Sequence, residues 1–237
     1  DSSYQFIHVG ATMHPDVAIE GALKDNASDD NISDRNAVYC ELTGIYHIWK
    51  NIHDVEYVGL CHYRRYLSHK QYSLDYNNVI LKKNDYANLL NHYDIILPKK
   101  TSKHRSPYKG YIKDETLKRS FRLYKLCMPI LQMSYPEYVN ELENEFSLDT
   151  MHCGNIMVCN KKIFDEYCTW LFGILFEVQK NLELKGKSFH IREAGLLSEW
   201  LLNVWIRQHK EYNVYETSVI FIEECKSRRS KLIFFLN

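Results

Sequence analysis

Residues 29–67 decide the fold of this chain and read DDNISDRNAVYCELTGIYHIWKNIHDVEYVGLCHYRRYL. The polar residues at the start of this stretch can cap a helix, and Ser33 is the predicted N-cap. Apolar residues then recur at helical spacing and predict one buried stripe: Val38, Leu42, Ile45 and Trp49. Residues 57–61 follow as a short apolar strand. A helix that runs almost directly into a buried strand predicts an α/β fold.

The end of that strand carries a cluster of basic side chains, His62, Arg64 and Arg65. In an open α/β sheet, ligands bind beyond the carboxyl ends of the strands. A guanidinium group binds phosphate oxygens in pairs, which an ammonium group does less well. The cluster therefore predicts a pocket for a diphosphate-bearing ligand. A solvated strand end without a ligand explains the same residues equally well.

The overall composition is that of an ordinary globular protein. The chain has 237 residues, of which 45% are hydrophobic and 25% are charged, and this length predicts a single domain over residues 1–237. Lysine plus arginine equals aspartate plus glutamate at 30 each, which argues against nucleic acid as a partner. The sequence contains no glycine-rich phosphate loop of the Walker or Rossmann type.

The seven cysteines include no Cys-x-x-Cys pair, so we predict a reducing compartment and no zinc site. The apolar runs are shorter than the roughly 18 residues that span a bilayer, and no signal peptide is visible. The chain opens at Asp1, directly before a strand-like segment. We therefore expect that an earlier strand of the domain is missing from the sequence.

Further strands and helices alternate along the chain. Strands are predicted at residues 4–9, 93–97, 155–159 and 214–222, and a loop with a short helix at residues 11–30. Helices are predicted at residues 85–91, 115–132, 136–145, 163–182 and 191–209.

The helix at residues 191–209 carries polar groups on a largely apolar surface. Arg192, Glu199 and Asn203 fall on one side of it. An unpaired buried charge is costly, so these groups need partners. Either Arg192 and Glu199 pair with each other, or Glu199 faces a ligand pocket and accepts a proton from an acceptor hydroxyl. Asp149 is the reserve candidate for this base.

Several sequence blocks resemble a bacterial family long catalogued as a domain of unknown function, whose members occur among capsular and exopolysaccharide biosynthesis proteins and look like glycosyltransferases. The blocks are Asp30-Asn31-Ile32-Ser33 with Asn36, the run from Tyr39 to Thr43, Trp49-Lys50-Asn51, the run from Val58 to Tyr66, and Ser198-Glu199 with Asn203 and Trp205. The resemblance extends over residues 7–222 and implies a GT-A-like, Rossmann-like mixed sheet flanked by helices. It implies transfer of a hexose, with galactose or galactofuranose favoured, from a UDP-sugar to a surface-polysaccharide acceptor.

The resemblance also suggests roles for individual residues. Donor-binding residues would be Asp30, Asn31, Asn36, His62, Arg64, Arg65 and Arg192. GT-A enzymes often have a metal-binding Asp-x-Asp at the strand end where this chain has His-Tyr-Arg-Arg. Because arginine cannot ligate a cation, we expect Arg64 and Arg65 to neutralise the diphosphate directly, without a metal cofactor. Magnesium or manganese remains the alternative.

Acceptor contacts are expected from His152 and Asn155, near the mouth of a strand, although stabilisation of a turn explains them equally well. Two other functions stay open for the chain: a noncatalytic glycan- or nucleotide-binding module, and a nucleotide-sugar hydrolase. The acceptor would be a glycan or a lipid-linked glycan, and the site of action the cytoplasm at the inner face of the plasma membrane.

The tail combines basic residues with a short apolar run, and two interpretations apply to it. Lys226, Arg228, Arg229 and Lys231 precede or flank Ile233-Phe234-Phe235-Leu236. Such a segment suits peripheral contact with an anionic membrane, at on the order of 1 kcal/mol per charge. A terminal strand or packing segment is the favoured interpretation.

Overall fold

A computed structural model describes residues 4–73, 75–102, 115–222 and 230–236. The strands in these ranges are β1 Tyr4–His8, β2 Leu23–Lys24, β3 Tyr57–Cys61, β4 Arg65–Ser68, β5 Ile95–Pro98, β6 Thr101–Ser102, β7 Thr150–Met151, β8 Val158–Asn160, β9 Val214–Phe221 and β10 Ser230–Leu236. The helices are α1 Asn36–Tyr39, α2 Leu42–Asn51, α3 Lys83–Leu90, α4 Glu115–Ser134, α5 Val139–Ser147, α6 Lys161–Glu183 and α7 Glu193–Gln208. None of the described helices is long and apolar enough to cross a membrane.

Eight strands form one mixed sheet in the order β2-β1-β10-β3-β8-β5-β9-β4. The pairs β1–β2 and β5–β9 are parallel and the others are antiparallel. Strands β1, β3 and β5 consequently run in the same direction, and their carboxyl ends lie at one edge of the sheet. This is the edge at which ligands bind in open α/β sheets. β6 and β7 form a separate two-stranded ribbon.

The central strands are buried on both faces, as their continuous apolar sequences predict. Side chains alternate between the faces of a strand. Val58, Leu60, Ile95 and Leu97 face a large core that α2, α4, α6 and α7 cover. Cys61 and Ile96 face a smaller core that includes Tyr86 of α3. The predicted α/β fold, a mixed sheet flanked by helices, is confirmed.

Most predicted elements occur within a few residues of their expected bounds, and two differ. Residues 11–30 contain the two-residue strand β2 and no helix. The strand predicted at residues 155–159 begins at Val158 instead, because Gly154 and Asn155 have positive φ angles of 86° and 51°.

The prediction of one continuous helix capped by Ser33 is wrong. A 3₁₀ turn at Ser33–Arg35 leads into α1, and the helix breaks at Cys40, where φ is 53°. Ser33 Oγ instead donates to Asp25 Oδ1 at 2.6 Å and accepts from the Thr12 amide at 3.0 Å. Leu42 and Ile45 are buried as predicted, whereas Val38 and Trp49 at the ends of the stripe are half-buried. The break at Cys40 matters because it determines where the Glu41 side chain points.

The basic cluster lies in a tight turn and not simply at the end of a strand. The backbone amides of His62 and Arg65 each donate to the other residue's carbonyl, at 3.2 and 2.9 Å. Arg65 then begins β4, a strand that the sequence did not predict, and pairs with Phe221 of β9. The turn holds His62 and Arg65 close together at the ligand-binding edge.

The tail forms a strand, which confirms the favoured interpretation of residues 230–236. β10 lies between β1 and β3 and is antiparallel to both. Lys226, Arg228 and Arg229 lie outside the described residues, so the membrane contact stays a prediction.

A buried ion pair fixes α7 against α4. Glu193 is fully buried, and Arg122 donates to its two carboxylate oxygens, at 2.6 Å from Nε and 3.2 Å from Nη2. Burial alone would raise the pKa of Glu193, but hydrogen bonds from Arg122 and from the His190 amide lower it below its ordinary range. A lowered carboxyl pKa stabilises the fold above the unfolded-state pKa, and this contribution is lost as pH falls through the folded-state pKa.

We expect Arg122→Met to lower the free energy of unfolding by about 2 to 4 kcal/mol at neutral pH, because it leaves the Glu193 carboxylate buried without its partner. Urea denaturation at neutral and at acidic pH measures this effect, and the loss should shrink on acidification. Lys180→Met, which removes an exposed partner of Glu177, is the matched control and should change stability by less than about 0.5 kcal/mol. An equal loss at both pH values would contradict the role given to the ion pair.

Candidate active site

The candidate site lies where β1, β3 and β5 end and β8 begins. The segment before β8 contains a turn at Gly154 and Asn155, both of which have positive φ. Glycine adopts this conformation readily, and asparagine is among the few other residues that do so. The turn directs the Gly154 amide and the Asn155 side chain toward two different carboxylates.

Asn155 joins three separate segments of the chain. Its buried Nδ2 lies 3.0 Å from Glu41 Oε1, 2.8 Å from Ser198 Oγ and 3.3 Å from the Gly195 carbonyl oxygen. The amide group thus holds the start of α2 and the first half of α7 against the turn.

Glu41 reaches this site because the chain bends at Cys40. The bend is packed against α7: a Cβ placed on Gly195 would lie 3.1 Å from Cys40 Cβ and 3.2 Å from its Sγ. A glycine at position 195 therefore allows α1 and α7 to approach closely. Glu41 is 5% exposed, although it carries a carboxylate. Such a group requires hydrogen-bond donors or cations around it.

His62 and Arg65 lie on the other side of the turn, where Arg65 supplies positive charge. His62 Nε2 hydrogen-bonds with the Gly154 carbonyl oxygen and lies 4.0 Å from Glu41 Oε1. A Cβ placed on Gly154 would lie 3.4 Å from Arg65 Nη1 and 3.5 Å from His62 Nε2. These are ordinary contact distances, so the positive φ of 86° is what favours glycine here, and both side chains lie directly beside the turn.

Glu199 is a carboxylate of the site with a strongly raised pKa. Its Oε2 accepts a hydrogen bond of 3.0 Å from the Gly154 amide. Burial, followed by repulsion from Glu41, raises the pKa of Glu199 to about 7 from its ordinary value of 4.5. The Gly154 amide and the charges of Arg65 and Arg192 oppose this increase. Near neutral pH the group can therefore accept or release a proton.

The structure brings five of the predicted residues together, Asn155 among them, and places Arg64 differently. His62, Arg65 and Glu199 surround the turn, and Arg192 lies close enough to affect the Glu199 charge. Arg192 precedes α7 in a left-handed conformation, with φ of 62°. Arg64 lies 4.8 Å from the ring centroid of Tyr63. Both adjacent arginines are half-buried, so neither projects freely into bulk water.

Of the predicted nucleoside-binding residues, Asn36 lies against the loop that follows β1, and Asp30 and Asn31 lie in the segment before Ser33, which also contacts this loop. Asn36 contacts this loop, since a Cβ on Gly10 would lie only 2.8 Å from Asn36 Oδ1. Asn31 Oδ1 accepts from the Ser33 amide at 3.1 Å, and Asp30 Oδ1 accepts from the Tyr46 hydroxyl at 2.7 Å. These contacts shape the loop, and binding of a nucleoside to it stays a prediction.

The fully buried Asp25 holds the backbone of the loop that follows β1. Its carboxylate accepts hydrogen bonds of 2.6 and 3.0 Å from the amides of Gly10 and Ala11. These two hydrogen bonds within the protein thus fix the conformation of the loop.

His152 has a clear structural role. It is buried, its Nδ1 lies 2.6 Å from the Pro98 carbonyl oxygen, and its Nε2 lies 3.5 Å from Glu216 Oε1. Burial lowers the pKa of His152, which favours a neutral ring. The Asn203 side chain hydrogen-bonds with both the amide and the carbonyl of His152, at 2.9 Å each. This pattern matches the turn-stabilising alternative for His152, and its contact with an acceptor stays a prediction.

Asp149, the reserve base, is exposed at the start of the 149–155 segment. Its assignment as a catalytic group also stays a prediction, as does acceptor binding by Asn155.

Sequence reasoning missed the parts played by Glu41, Gly154 and Ser198. Glu41 stands on a helical pattern that gives no sign of the break at Cys40. Gly154 and Asn155 together are a turn signal, but Asn155 was assigned to the start of a strand. Assigning both residues to a turn would have predicted the turn and a later start for the strand.

No group of three or more His, Cys, Asp or Glu side chains suited to a metal occurs in the described ranges. A metal that bridges a diphosphate needs only one or two protein ligands, so this finding leaves metal dependence to experiment.

We expect Glu199→Gln to stabilise the protein at alkaline pH by about 1 to 3 kcal/mol, since it removes a buried charge. The carboxyl pKa is raised on folding, so the penalty grows as pH rises from about 4.5 to about 7 and is complete above that. Thermal or urea denaturation at both ends of this range measures it, with the exposed Glu177→Gln as the control. If Glu199→Gln were equally stabilising at acidic pH, the raised pKa would be wrong.

Comparisons with known proteins agree with this description. The profile of a family described as "Domain of unknown function (DUF4422)" matches residues 1–211. No curated protein matches the chain. The apo structure of the bifunctional glycosyltransferase WbbM is similar, with a TM-score of 0.70 and 29% sequence identity over 92% of this chain. This chain spans 42% of that protein's length. The match over most of its length shows that the chain belongs to the DUF4422 family.

Proposed function

We propose that this chain is a glycosyltransferase that moves a hexose from a nucleotide-diphosphate donor to a glycan hydroxyl. The observation that carries the proposal is Glu199, a carboxylate with a pKa raised to about 7, placed beside cationic side chains at the ligand-binding edge of the sheet. The similarity to a solved glycosyltransferase over 92% of the chain supports the same reaction class.

Glu199 acts as the base in the proposed reaction. The acceptor hydroxyl gives its proton to the Glu199 carboxylate, and its oxygen forms a bond to the anomeric carbon of the donor sugar. The bond between that carbon and the diphosphate oxygen breaks, and the electron pair leaves with the nucleoside diphosphate. A base whose pKa is near the working pH is efficient in such a transfer.

Arg65 and Arg192 supply the positive charge that the departing diphosphate requires, with His62 as a further donor-binding residue beside them. Fixed cations stabilise charge that develops in a transition state and need no reorganisation during the reaction. Arg65 is positioned best for this, because it begins β4 and lies beside Gly154 and near Glu199. Arg64 completes the proposed diphosphate-binding group from the same turn.

The preferred donor is a UDP-hexose, either galactose or galactofuranose, and the acceptor is a growing surface polysaccharide or its lipid-linked precursor. Asp30, Asn31 and Asn36 would surround the nucleoside at the loop after β1. We place the reaction in the cytoplasm, at the inner face of the plasma membrane. The buried thiols of Cys61, Cys127, Cys159 and Cys168 are not in disulfides, as is typical of a reducing compartment.

The test is release of UDP from UDP-galactose or UDP-galactofuranose in the presence of a mixed glycan acceptor. We expect kcat/KM to fall about tenfold per pH unit below the Glu199 pKa of about 7 and to level off above it. Glu199→Gln should lower kcat roughly 100- to 10,000-fold and remove this acidic limb. Glu177→Gln, on the exposed surface of α6, is the control and should leave both unchanged.

Three other results of this assay would each point to a different function or a different base. UDP release that is equally fast without acceptor would indicate a nucleotide-sugar hydrolase. Binding of UDP-sugar, seen as a thermal shift without any turnover, would indicate a noncatalytic module. Full activity of Glu199→Gln would remove Glu199 from the chemistry.

We also propose that the arginine-rich turn replaces a metal, so activity should persist in excess chelator. Arg65→Met should lower kcat roughly 100-fold or more, because the charge that stabilises the leaving diphosphate is lost. Initial rates with and without chelator measure these effects in three proteins: the wild type, Arg65→Met and the control Lys185→Met, which changes an exposed residue. Complete loss of activity on chelation, restored by magnesium or manganese, would refute metal independence and leave the transfer reaction intact.

A further inference from the structure

Glu41 is buried close to the proposed base, Glu199, and lies deeper in the molecule. Glu41 is 5% exposed, whereas Glu199 is half-buried and keeps part of its surface within reach of a substrate. A carboxylate as deeply buried as Glu41 does not meet a substrate directly. Any effect that it has on a reaction at this site therefore passes through its neighbours.

Two adjacent residues of the turn before β8 join the carboxylates of Glu41 and Glu199. Asn155 Nδ2 donates to Glu41 Oε1 at 3.0 Å. The Gly154 amide donates to Glu199 Oε2, also at 3.0 Å. His62 Nε2 adds a second connection, since it hydrogen-bonds with the Gly154 carbonyl oxygen and lies 4.0 Å from Glu41 Oε1. The bonds of one turn thus set the separation of the two carboxylates.

The orientation of the Asn155 side-chain amide indicates that Glu41 carries a negative charge. The amino group Nδ2 faces oxygens of Glu41, Ser198 and Gly195, whereas within the described ranges the buried Oδ1 has no hydrogen-bond partner. A buried acceptor that is left unsatisfied is costly. The opposite orientation would place Oδ1 against an ionised carboxylate, which can only accept hydrogen bonds. The amide thus forgoes one hydrogen bond in order to supply a donor to Glu41.

The charge of Glu199 responds to groups from several elements. In chain order these are Glu41 at the start of α2, Arg65 at the start of β4, the Cys153 thiol, the Gly154 amide and Arg192 before α7. Burial is the largest cause of the raised pKa of Glu199, and repulsion from Glu41 is the second. The two arginines and the amide oppose both causes. The thiol stays neutral, because burial raises its pKa. Replacing Glu41 therefore separates repulsion from burial.

We propose that Glu41 is a positioning residue, whose buried charge acts on Glu199 across the Gly154-Asn155 turn without touching a substrate. A carboxylate beside a like charge binds a proton more strongly, so it is the stronger base. Glu199 is thereby a better proton acceptor than an exposed glutamate and is still partly ionised near neutral pH. That this assists sugar transfer rests on the proposed function, whereas the effect of Glu41 on the titration of Glu199 does not.

The first measurement follows the ionisation of Glu199 without any reaction. The whole chain is labelled with carbon-13 at the glutamate side-chain carboxyl groups, and the NMR signal of Glu199 is identified by its loss in Glu199→Gln. The titration midpoint of the wild type should lie at about pH 7. In Glu41→Gln it should move down by about one pH unit or more, because one like charge is removed. Glutamine has nearly the shape of glutamate, and its side-chain oxygen still accepts from Asn155.

The second measurement is the pH profile of kcat/KM for release of UDP. In Glu41→Gln the acidic limb should move to lower pH by the same amount, since kcat/KM reports ionisations of the free enzyme. The rate above the limb should fall roughly two- to tenfold, because a weaker base is less efficient. Glu41→Asp keeps the charge, so its limb should lie closer to that of the wild type. Glu177→Gln, on the exposed surface of α6, is the control and should move neither the limb nor the midpoint.

Three results would overturn the role proposed for Glu41. These are an unmoved Glu199 midpoint in Glu41→Gln, a midpoint in Glu41→Asp that equals the one in Glu41→Gln, and a loss of rate that is the same at every pH. The last result is what a purely structural role predicts. A midpoint that moves while the wild type itself releases no UDP would refute the proposed function and leave the effect of Glu41 on Glu199 standing.

Discussion

The structure depends on the placement of two carboxylates, Glu41 and Glu199, close to one another and largely away from water. Like charges in such surroundings repel, and burial disfavours the ionised form of each. The Gly154-Asn155 turn relieves both effects, because the Gly154 amide donates to Glu199 and the Asn155 side chain donates to Glu41. The pKa of Glu199 stays raised at about 7, which keeps the group available for proton transfer near neutral pH.

This arrangement of the two carboxylates around the turn explains three unusual backbone conformations. Three non-glycine residues have positive φ in the described ranges, namely Cys40, Asn155 and Arg192. Each lies at a point where the chain must turn toward the site: Cys40 before Glu41, Asn155 at the bridging turn, and Arg192 before α7. Strained backbone is often concentrated at functional sites, where surrounding contacts hold it in place. Here the contact between Gly195 and Cys40 and the hydrogen bonds of Asn155 provide those contacts.

The fold follows from local patterns, whereas the site depends on exceptions to them. Apolar runs such as residues 57–61 and 93–97 identify strands buried on both faces, and the stripe through Leu42 and Ile45 identifies a helix. The break at Cys40 has no such signal, since nothing in the residue pattern distinguishes it from a continuous helix. β4 and the position of β10 between β1 and β3 depend on pairing between distant segments, which local sequence does not encode. Glu199 was found because a charged residue on an apolar helix needs a partner, and Glu41 was missed because the break at Cys40 that directs it toward the site leaves no mark on the residue pattern.

α7 connects the candidate active site to the core of the molecule. Glu199 lies in its first half, and Asn203, one turn later, donates to the Glu199 carbonyl and to that of His152. Trp205, near the end of the helix, is buried in the core, where its ring packs against Tyr167 and His209. Groups on a single helix keep fixed separations, and sites built on helices are more precise than those on loops. Arg122 and Glu193 anchor the start of this helix, and Arg207 anchors its end through Glu141 and Glu145. With both ends held by ion pairs, α7 places Glu199 and Asn203 firmly against the turn that precedes β8.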